Sequence, residues 1–280
     1  MKKLLKPVKL IGSVIPGEKI GRTINFPTAN LALKKLPSIK PGVYLAVCQL
    51  KKNYYLGLAY YSPRRTFEVY LFDFNQDIYG RQLSVKLTHF LRPPKKVRGL
   101  LALTKLIQQD LASLNDQVIL VNKKDQILGI ADKTQAHLGS GKLHRAISVQ
   151  IFNSKKELLI TQRSRNKRLW PLFWSNSCCS HPLIGESYLA AAERRTREEL
   201  GLKVNLKLTQ KNIYRFQYEN IGREQELVHV FIGFTDKKPK INKKEISNWR
   251  YAGINSLPDK LTPWFKLILK KIPSSAIFKA

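Results

Sequence analysis

At 280 residues the chain is long enough for about two domains of 100–200 residues each, and a hydrophobic content of 43% supplies real cores. Lys and Arg number 50 against 19 Asp and Glu, a formal net charge of +31. The charge is no lone basic tail: residues 1–114 carry 20 basic and 5 acidic residues, residues 115–280 carry 30 and 14. Such a balance fits nucleic-acid or anionic-membrane contact, or phosphate-bearing substrates on a lysine-rich surface, and composition alone does not choose between them. Three cysteines, two of them adjacent (Cys178 and Cys179), make no disulfide framework and suit a reduced, cytoplasmic compartment. The opening Met1–Pro7 is basic, with no apolar stretch of signal-peptide length. No run of about 18 apolar residues is present, so no membrane span is expected.

Up to Leu91 the pattern is short strands and turns. Val43–Leu50 and Glu68–Phe74 run apolar or alternate, Gln82–Thr88 alternates with Leu83, Val85 and Leu87 inward, and Gly and Pro punctuate throughout. This predicts a small antiparallel β-barrel. Leu100, Leu103, Leu106, Ile107 and Leu111 recur at helical spacing, so a helix over 97–114 closes the first domain. Asn115-Asp116 is the expected junction, giving domains 1–115 and 116–280. Beyond it, Val118–Val121, Leu143–Asn153, Glu157–Arg163, Ile213–Tyr218 and Leu227–Phe234 read as strands. Tyr188–Leu200 reads as a helix ended by Gly201. The second domain is therefore mixed α/β.

Three of the five histidines, His137, His144 and His181, join the pair Glu224 and Glu226. Two apart on a strand, those carboxylates share a face. Three imidazoles and two carboxylates make an N/O donor set suited to Zn²⁺, Mn²⁺ or Mg²⁺.

Leu143-His144-Arg145-Ala146, Leu169-Trp170-Pro171, the run Trp174-Ser175-Asn176-Ser177-Cys178-Cys179-Ser180-His181-Pro182 and Gly185-Glu186 closely resemble the type 1, Nudix-like isopentenyl-diphosphate isomerases. Ala136-His137, Tyr214-Arg215, Glu224-x-Glu226 and Thr262-Pro263-Trp264 follow in family order, so the likeness spans nearly all of 117–270. It implies that Glu226, steadied by Tyr214, and Cys179 are acid/base groups on opposite faces of isopentenyl diphosphate. Trp264 and Trp174 are candidates to stabilise a carbocation between them. It implies also that Lys133, Arg163, Lys167 and Arg195 grip the diphosphate, and that Glu199 holds a bridging Mg²⁺. Cys178 is then a packing residue. In Arg194-Arg195-Thr196-Arg197-Glu198-Glu199-Leu200-Gly201, Arg195 stands where a Nudix hydrolase has a Mg²⁺-binding glutamate, which works against hydrolysis.

In the first domain, Gly12-x-Val14-x-x-Gly17-x-x-x-Gly21-Arg22 and Phe26-Pro27-Thr28-Ala29-Asn30-Leu31 resemble riboflavin kinase. So do Gly42-Val43-Tyr44, Glu68-Val69-Tyr70-Leu71-x-Asp73-Phe74, Asp77-Ile78-Tyr79-Gly80, Phe90-Leu91-Arg92-Pro93 and Ile107-x-x-Asp110, in order across 8–114. The resemblance implies that Gly17, Gly21 and Arg22 approach the ATP phosphates, that Thr28 and Asn30 serve Mg²⁺ and nucleotide, and that Glu68 is the general base toward riboflavin. Asn25 stands where the family has Gly, and the loop 60–67 is short. No nucleotide-transfer motif precedes Gly12, so FMN is the expected product. The sequence thus reads as a cytoplasmic fusion of two enzymes acting on isopentenyl diphosphate, riboflavin and ATP, with nucleic acid not among its partners. The alternatives are an isomerase carrying a degenerate barrel, a Nudix hydrolase, and a basic RNA-binding protein.

Overall fold

The computed structural model describes residues 1–272; residues 273–280, the end of the second expected domain, lie outside them. The chain divides into two compact units, Met1–Ile119 with Gln126–Ile130 and Leu183–Gly185, and Leu120–Asp125 with Ala131–Pro182 and Glu186–Ala280.

The first unit holds β1 (Lys2–Ile15), the short helix α1 (Ile20–Thr23), β2 (Thr28–Leu33), β3 (Gly42–Leu50), β4 (Asn53–Tyr61), β5 (Phe67–Leu71), β6 (Gln82–Arg92) and α2 (Leu100–Ala112). Its strands pair antiparallel in the order β1-β2-β5-β4-β3-β6, and β6 pairs back onto β1, closing the barrel. Alternation on β6 behaves as its sequence predicts: Leu83, Val85 and Leu87 are fully buried, each contributing about 1.5–3 kcal/mol of transfer free energy. The 14-residue β1 is longer than anything its glycine-punctuated sequence announces. Gly12 sits inside it and not in a phosphate loop, because a Cβ there would press on the Ala32 carbonyl of the paired strand. β5 ends at Leu71, short of the expected Phe74, where Asp73 turns the chain at φ 50°. α2 begins three residues late because Gly99 takes φ 82°, outside helical space. A bidentate ion pair from Arg92 Nε and Nη2 to Asp110 (2.7 and 2.8 Å) ties α2 to β6.

The second set of elements runs β7 (Gln117–Val121), β8 (Ile127–Asp132), α3 (Lys133–Ala136), β9 (His144–Phe152), β10 (Leu158–Arg163), β11 (Trp174–Ser175), β12 (Cys178–Ser180), α4 (Tyr188–Leu200), β13 (Lys207–Tyr218), β14 (Gly222–Phe234), β15 (Ile246–Ala252) and α5 (Pro263–Leu269). The sheet follows β11-β10-β9-β14-β13, with β12 on β9 and β15 on β10; β9 and β14 are parallel, so the sheet is mixed. Period-two alternation splits β9 and β14 between two cores. Ile147, Val149, Ile151 and Phe231 pack with Ala191, Ala192 and Leu200 of α4, while Ala146, Phe152, Val228, Val230 and Ile232 pack with Trp264, Phe265 and Ile268 of α5. α4 starts on Ser187, whose hydroxyl accepts from Ala190 N, and its stop at Gly201, in the left-handed region (φ 65°), is the one its sequence predicts. Among the described residues no helix is long and apolar enough to cross a membrane.

Candidate active site

The second unit's site lies on the α5 face of the sheet, where register does the positioning. Tyr214 of β13 pairs with Glu226 of β14, and Glu226 pairs with His144 of β9, setting the three in one row. Glu224 is two residues earlier on the same face. His137 caps the C-terminus of α3, and His181 follows β12. One ligand atom each from His137, His144, His181 and Glu226 lie within 4.8 Å of one another, and Glu224 Oε2 is 3.0 Å from His137 Nε2.

Backbone carbonyls orient two of the imidazoles. His137 Nδ1 is 2.6 Å from the Lys133 carbonyl and His144 Nδ1 is 2.6 Å from the Lys142 carbonyl. A carbonyl can only accept, so Nδ1 of both rings carries a proton and both Nε2 atoms are turned toward the carboxylates. His144 Nε2 is fully buried, 3.6 Å from Glu226 Oε1, with no hydrogen-bond partner. His181 Nε2 meets the same oxygen at 3.0 Å. Burial opposes charge on His137, His181 and Glu226. It pulls His181 down to about 3 despite Glu226. At His137 it is overridden by the Glu224 hydrogen bond, which lifts the imidazole to about 9. Glu226, which burial would raise, is held well below the usual carboxylate range by the facing imidazoles. His137, His144, His181 and Glu226, with Glu224 beside His137, could hold a divalent cation through a borderline N/O donor set. His181→Ala is expected to lower bound metal, measured by elemental analysis, together with catalytic turnover by about 10-fold or more. Full metal content in that variant would exclude His181 as a ligand.

The adjoining cavity is lined by Cys179, His137, His181, Tyr214, Glu224, Glu226 and Trp264, and by Lys133, Arg163, Lys167, Arg168 and Arg195. Tyr214 donates a short hydrogen bond to Glu226 Oε2, and burial next to that carboxylate pushes the phenol well above its ordinary value. Alternation on β12 sends the two cysteines to opposite faces. Cys178 is buried in the α4 core and Cys179 faces the cavity. Burial, partly offset by Ser148, pushes the Cys179 thiol up to about 12, so it keeps its proton. Its Sγ donates to Asn176 Oδ1 at 3.0 Å. The Asn176 amide is locked by donating to the Val149 and Cys178 carbonyls at 3.1 and 2.7 Å.

Trp264 stands parallel to Tyr214 at 6.4 Å and edge-on to Trp170 at 5.1 Å, with the Arg163 guanidinium 5.2 Å from its ring centre. Arg163 also donates to the Trp170 and Leu169 carbonyls (3.0 and 2.7 Å), pinning the 169–172 loop. Lys133 is lowered by burial and by the charges of Lys167 and Arg195, the sign of a concentrated positive site. Two expected residues are absent from the cavity wall. Trp174 lies under the Arg250 guanidinium at 5.3 Å. Glu199 is buried on α4, gripped by Arg195 Nε and Nη2. Two side chains escaped the sequence reading. Asn176 lay within the quoted motif without a role, and Glu245, which pairs with Lys167 and Arg195, lies in a lysine-rich run that gives no signal. Burial would raise the Glu245 carboxyl, but Lys167 and then Arg195 bring it down to about 2.

In the first unit Thr28 Oγ1 donates to Glu68 Oε2 at 3.1 Å, and Asn30 pairs in register with Glu68 across β2 and β5. Gly17 abuts the Asn30 amide so closely that any side chain would collide with it, and Gly21 packs likewise on the Phe26 carbonyl. Arg22 lies 5.9 Å from the Tyr79 ring. Asn25 takes φ 62°, a left-handed backbone that Asn tolerates better than other side chains, so the loop keeps a glycine-like turn without glycine.

These two units carry the marks of two known domains: the riboflavin kinase family matches residues 4–118 and the NUDIX domain matches 142–272. Isopentenyl-diphosphate Delta-isomerase of Pectobacterium atrosepticum is 43% identical over 164 residues, covering 56% of this chain and 91% of the relative. Isopentenyl-diphosphate Delta-isomerase 1 of Photorhabdus laumondii is 43% identical over 162 residues, covering 54% and 91%. The isomerase of Serratia proteamaculans is 37% identical over 166 residues, covering 57% and 92%. Through its C-terminal domain this chain belongs to the isopentenyl-diphosphate Delta-isomerase family, and it carries a riboflavin kinase domain in front of it.

Proposed function

We propose that the protein is a fusion enzyme. Its C-terminal domain interconverts isopentenyl and dimethylallyl diphosphate by protonation and deprotonation, and its N-terminal domain phosphorylates riboflavin to FMN with ATP. The observation that carries the first activity is one cavity in which a protonated thiol, a phenol–carboxylate pair and an imidazole cluster meet a rim of Lys and Arg.

An alkene is a feeble base, so a strong acid must be presented to it away from water. The buried Tyr214–Glu226 pair holds a proton in a short hydrogen bond, and Cys179 holds another on its thiol. One group adds a proton at one carbon while the other removes one two carbons away, and reversal of the roles reverses the reaction. A divalent cation held by His137, His144, His181, Glu224 and Glu226 supplies the Lewis acidity that strengthens the Glu226–Tyr214 acid. Zn²⁺, Mn²⁺ and Mg²⁺ all suit its donors. Trp264, the one of the two expected tryptophans on the cavity wall, offers a π face to the positive carbon. Lys133, Arg163, Lys167 and Arg195 bind the diphosphate, and Glu199, off the cavity wall, anchors Arg195.

In the kinase domain, Gly17, Gly21 and Arg22 cradle the ATP phosphates, Thr28 and Asn30 serve Mg²⁺ and nucleotide, and Glu68 takes the proton of the ribityl hydroxyl. The domains divide at 115/116 in this reading, and the protein works in the cytoplasm. The test is two assays on the purified full chain with Mg²⁺ and Zn²⁺: isopentenyl diphosphate turnover, and FMN formation from riboflavin and ATP. Turnover without FMN leaves an isomerase on a degenerate barrel. Loss of both, with tight salt-sensitive RNA binding, overturns the fusion-enzyme reading.

A further inference from the structure

Glu245 ends the run Ile241-Asn242-Lys243-Lys244-Glu245 just before β15. Its backbone is fixed: Glu245 N donates to the Asn242 carbonyl at 2.9 Å, Ser164 N donates to the Glu245 carbonyl at 2.9 Å, and Asn242 N donates to the Glu199 carbonyl at 2.8 Å. Its carboxylate then spans two elements. Oε2 accepts a short bond from Lys167 Nζ, in the loop after β10, and Oε1 accepts from Arg195 Nη2 of α4 at 3.2 Å. All three side chains are partly buried, at 26, 28 and 17% exposure, where charge pairing is screened less than on an open surface. Lys133, whose charge also feels Lys167 and Arg195, shares the same cavity wall.

Three like charges around one cavity repel, and a lysine with a long flexible stem gains by swinging into water. Arg195 has Glu199 and Glu198 as further anchors. The hydrogen bond of the Lys167 ammonium goes to Glu245. We infer that Glu245 is a positioning residue: its carboxylate holds Lys167 and Arg195 inward as a preformed grip for the diphosphate end of the substrate. This rests on the isomerase reading for the identity of the substrate, but the anion grip is testable by itself.

Two effects of Glu245 have opposite signs. Its negative charge beside the grip repels an anion, so by Coulomb's law alone its removal tightens anion binding. Its anchoring of two donors preorganises the grip, so by positioning its removal weakens binding. The experiment measures Mg²⁺–pyrophosphate binding to the full chain by calorimetry, in unmutated protein, Glu245→Gln and Glu245→Asp, each checked for a native thermal transition. Glu245→Gln is nearly isosteric and is expected to raise the dissociation constant about 10-fold, the value of one charge-assisted hydrogen bond. The KM for isopentenyl diphosphate should rise in parallel while kcat stays within about 3-fold. Glu245→Asp keeps the charge but loses the reach, and is expected to fall between the two. Pyrophosphate binding that is unchanged or tighter in Glu245→Gln, or unchanged KM in both variants, overturns the inference. Failure of the unmutated protein to turn over isopentenyl diphosphate while it binds pyrophosphate would instead overturn the isomerase reading and leave the grip standing.

Discussion

Cys179→Ala is expected to lower isopentenyl diphosphate turnover by about 10²–10⁴-fold, the range for loss of a general acid or base, whereas Cys178→Ala keeps most of it. The two thiols differ in surroundings and not in kind. On β12 consecutive side chains point to opposite faces, so Cys178 enters the α4 core while Cys179 reaches the cavity that Tyr214 and Glu226 line from the facing strands. Both thiols are pushed up by burial. Cys178 is engaged by Glu199 in the α4 core, whereas Cys179 directs its proton to the locked amide of Asn176 beside the cavity. Alanine removes that proton carrier and leaves the imidazole cluster in place, so metal content should be retained in Cys179→Ala. A variant pair with the activities exchanged would assign the chemistry to the α4 face and sink the proposed site. Equal activity in both would show that neither thiol moves a proton.

Glu68→Gln is expected to abolish FMN formation, again by about 10²–10⁴-fold, and to leave isomerisation unchanged. Gln keeps an oxygen that accepts the Thr28 hydroxyl bond, so β2 and β5 stay joined at this point and the barrel survives. What is lost is the ability to take a proton from an attacking hydroxyl. The isomerase residues all belong to the other compact unit, with their own thiol and imidazoles, so their turnover serves as an internal control for folding. Simultaneous loss of both activities would mean that the variant misfolds or that the units depend on each other. Retention of FMN synthesis would remove Glu68 from the base role.

The sequence by itself determined the two-domain order, the strand-rich first half and the α/β second half, and it named most of the side chains that line the second unit's cavity. These follow from local rules. Period-two burial at Leu83, Val85 and Leu87, the Gly201 stop of α4 and the same-face spacing of Glu224 and Glu226 each need only a few neighbouring residues to be read. Only the tertiary structure decided the rest. The length of β1 comes from pairing on two sides, with β2 and β6, which supplies hydrogen bonds that its glycines and lysines do not advertise. Trp174 leaves the cavity wall because Arg250, 76 positions later in the chain, covers its ring. Glu245 is invisible among lysines until the fold brings Lys167 and Arg195, 78 and 50 residues away, onto its two oxygens. Local pattern reports what a side chain can do. Which partners it meets is set by long-range register and packing, and no short window of sequence contains them.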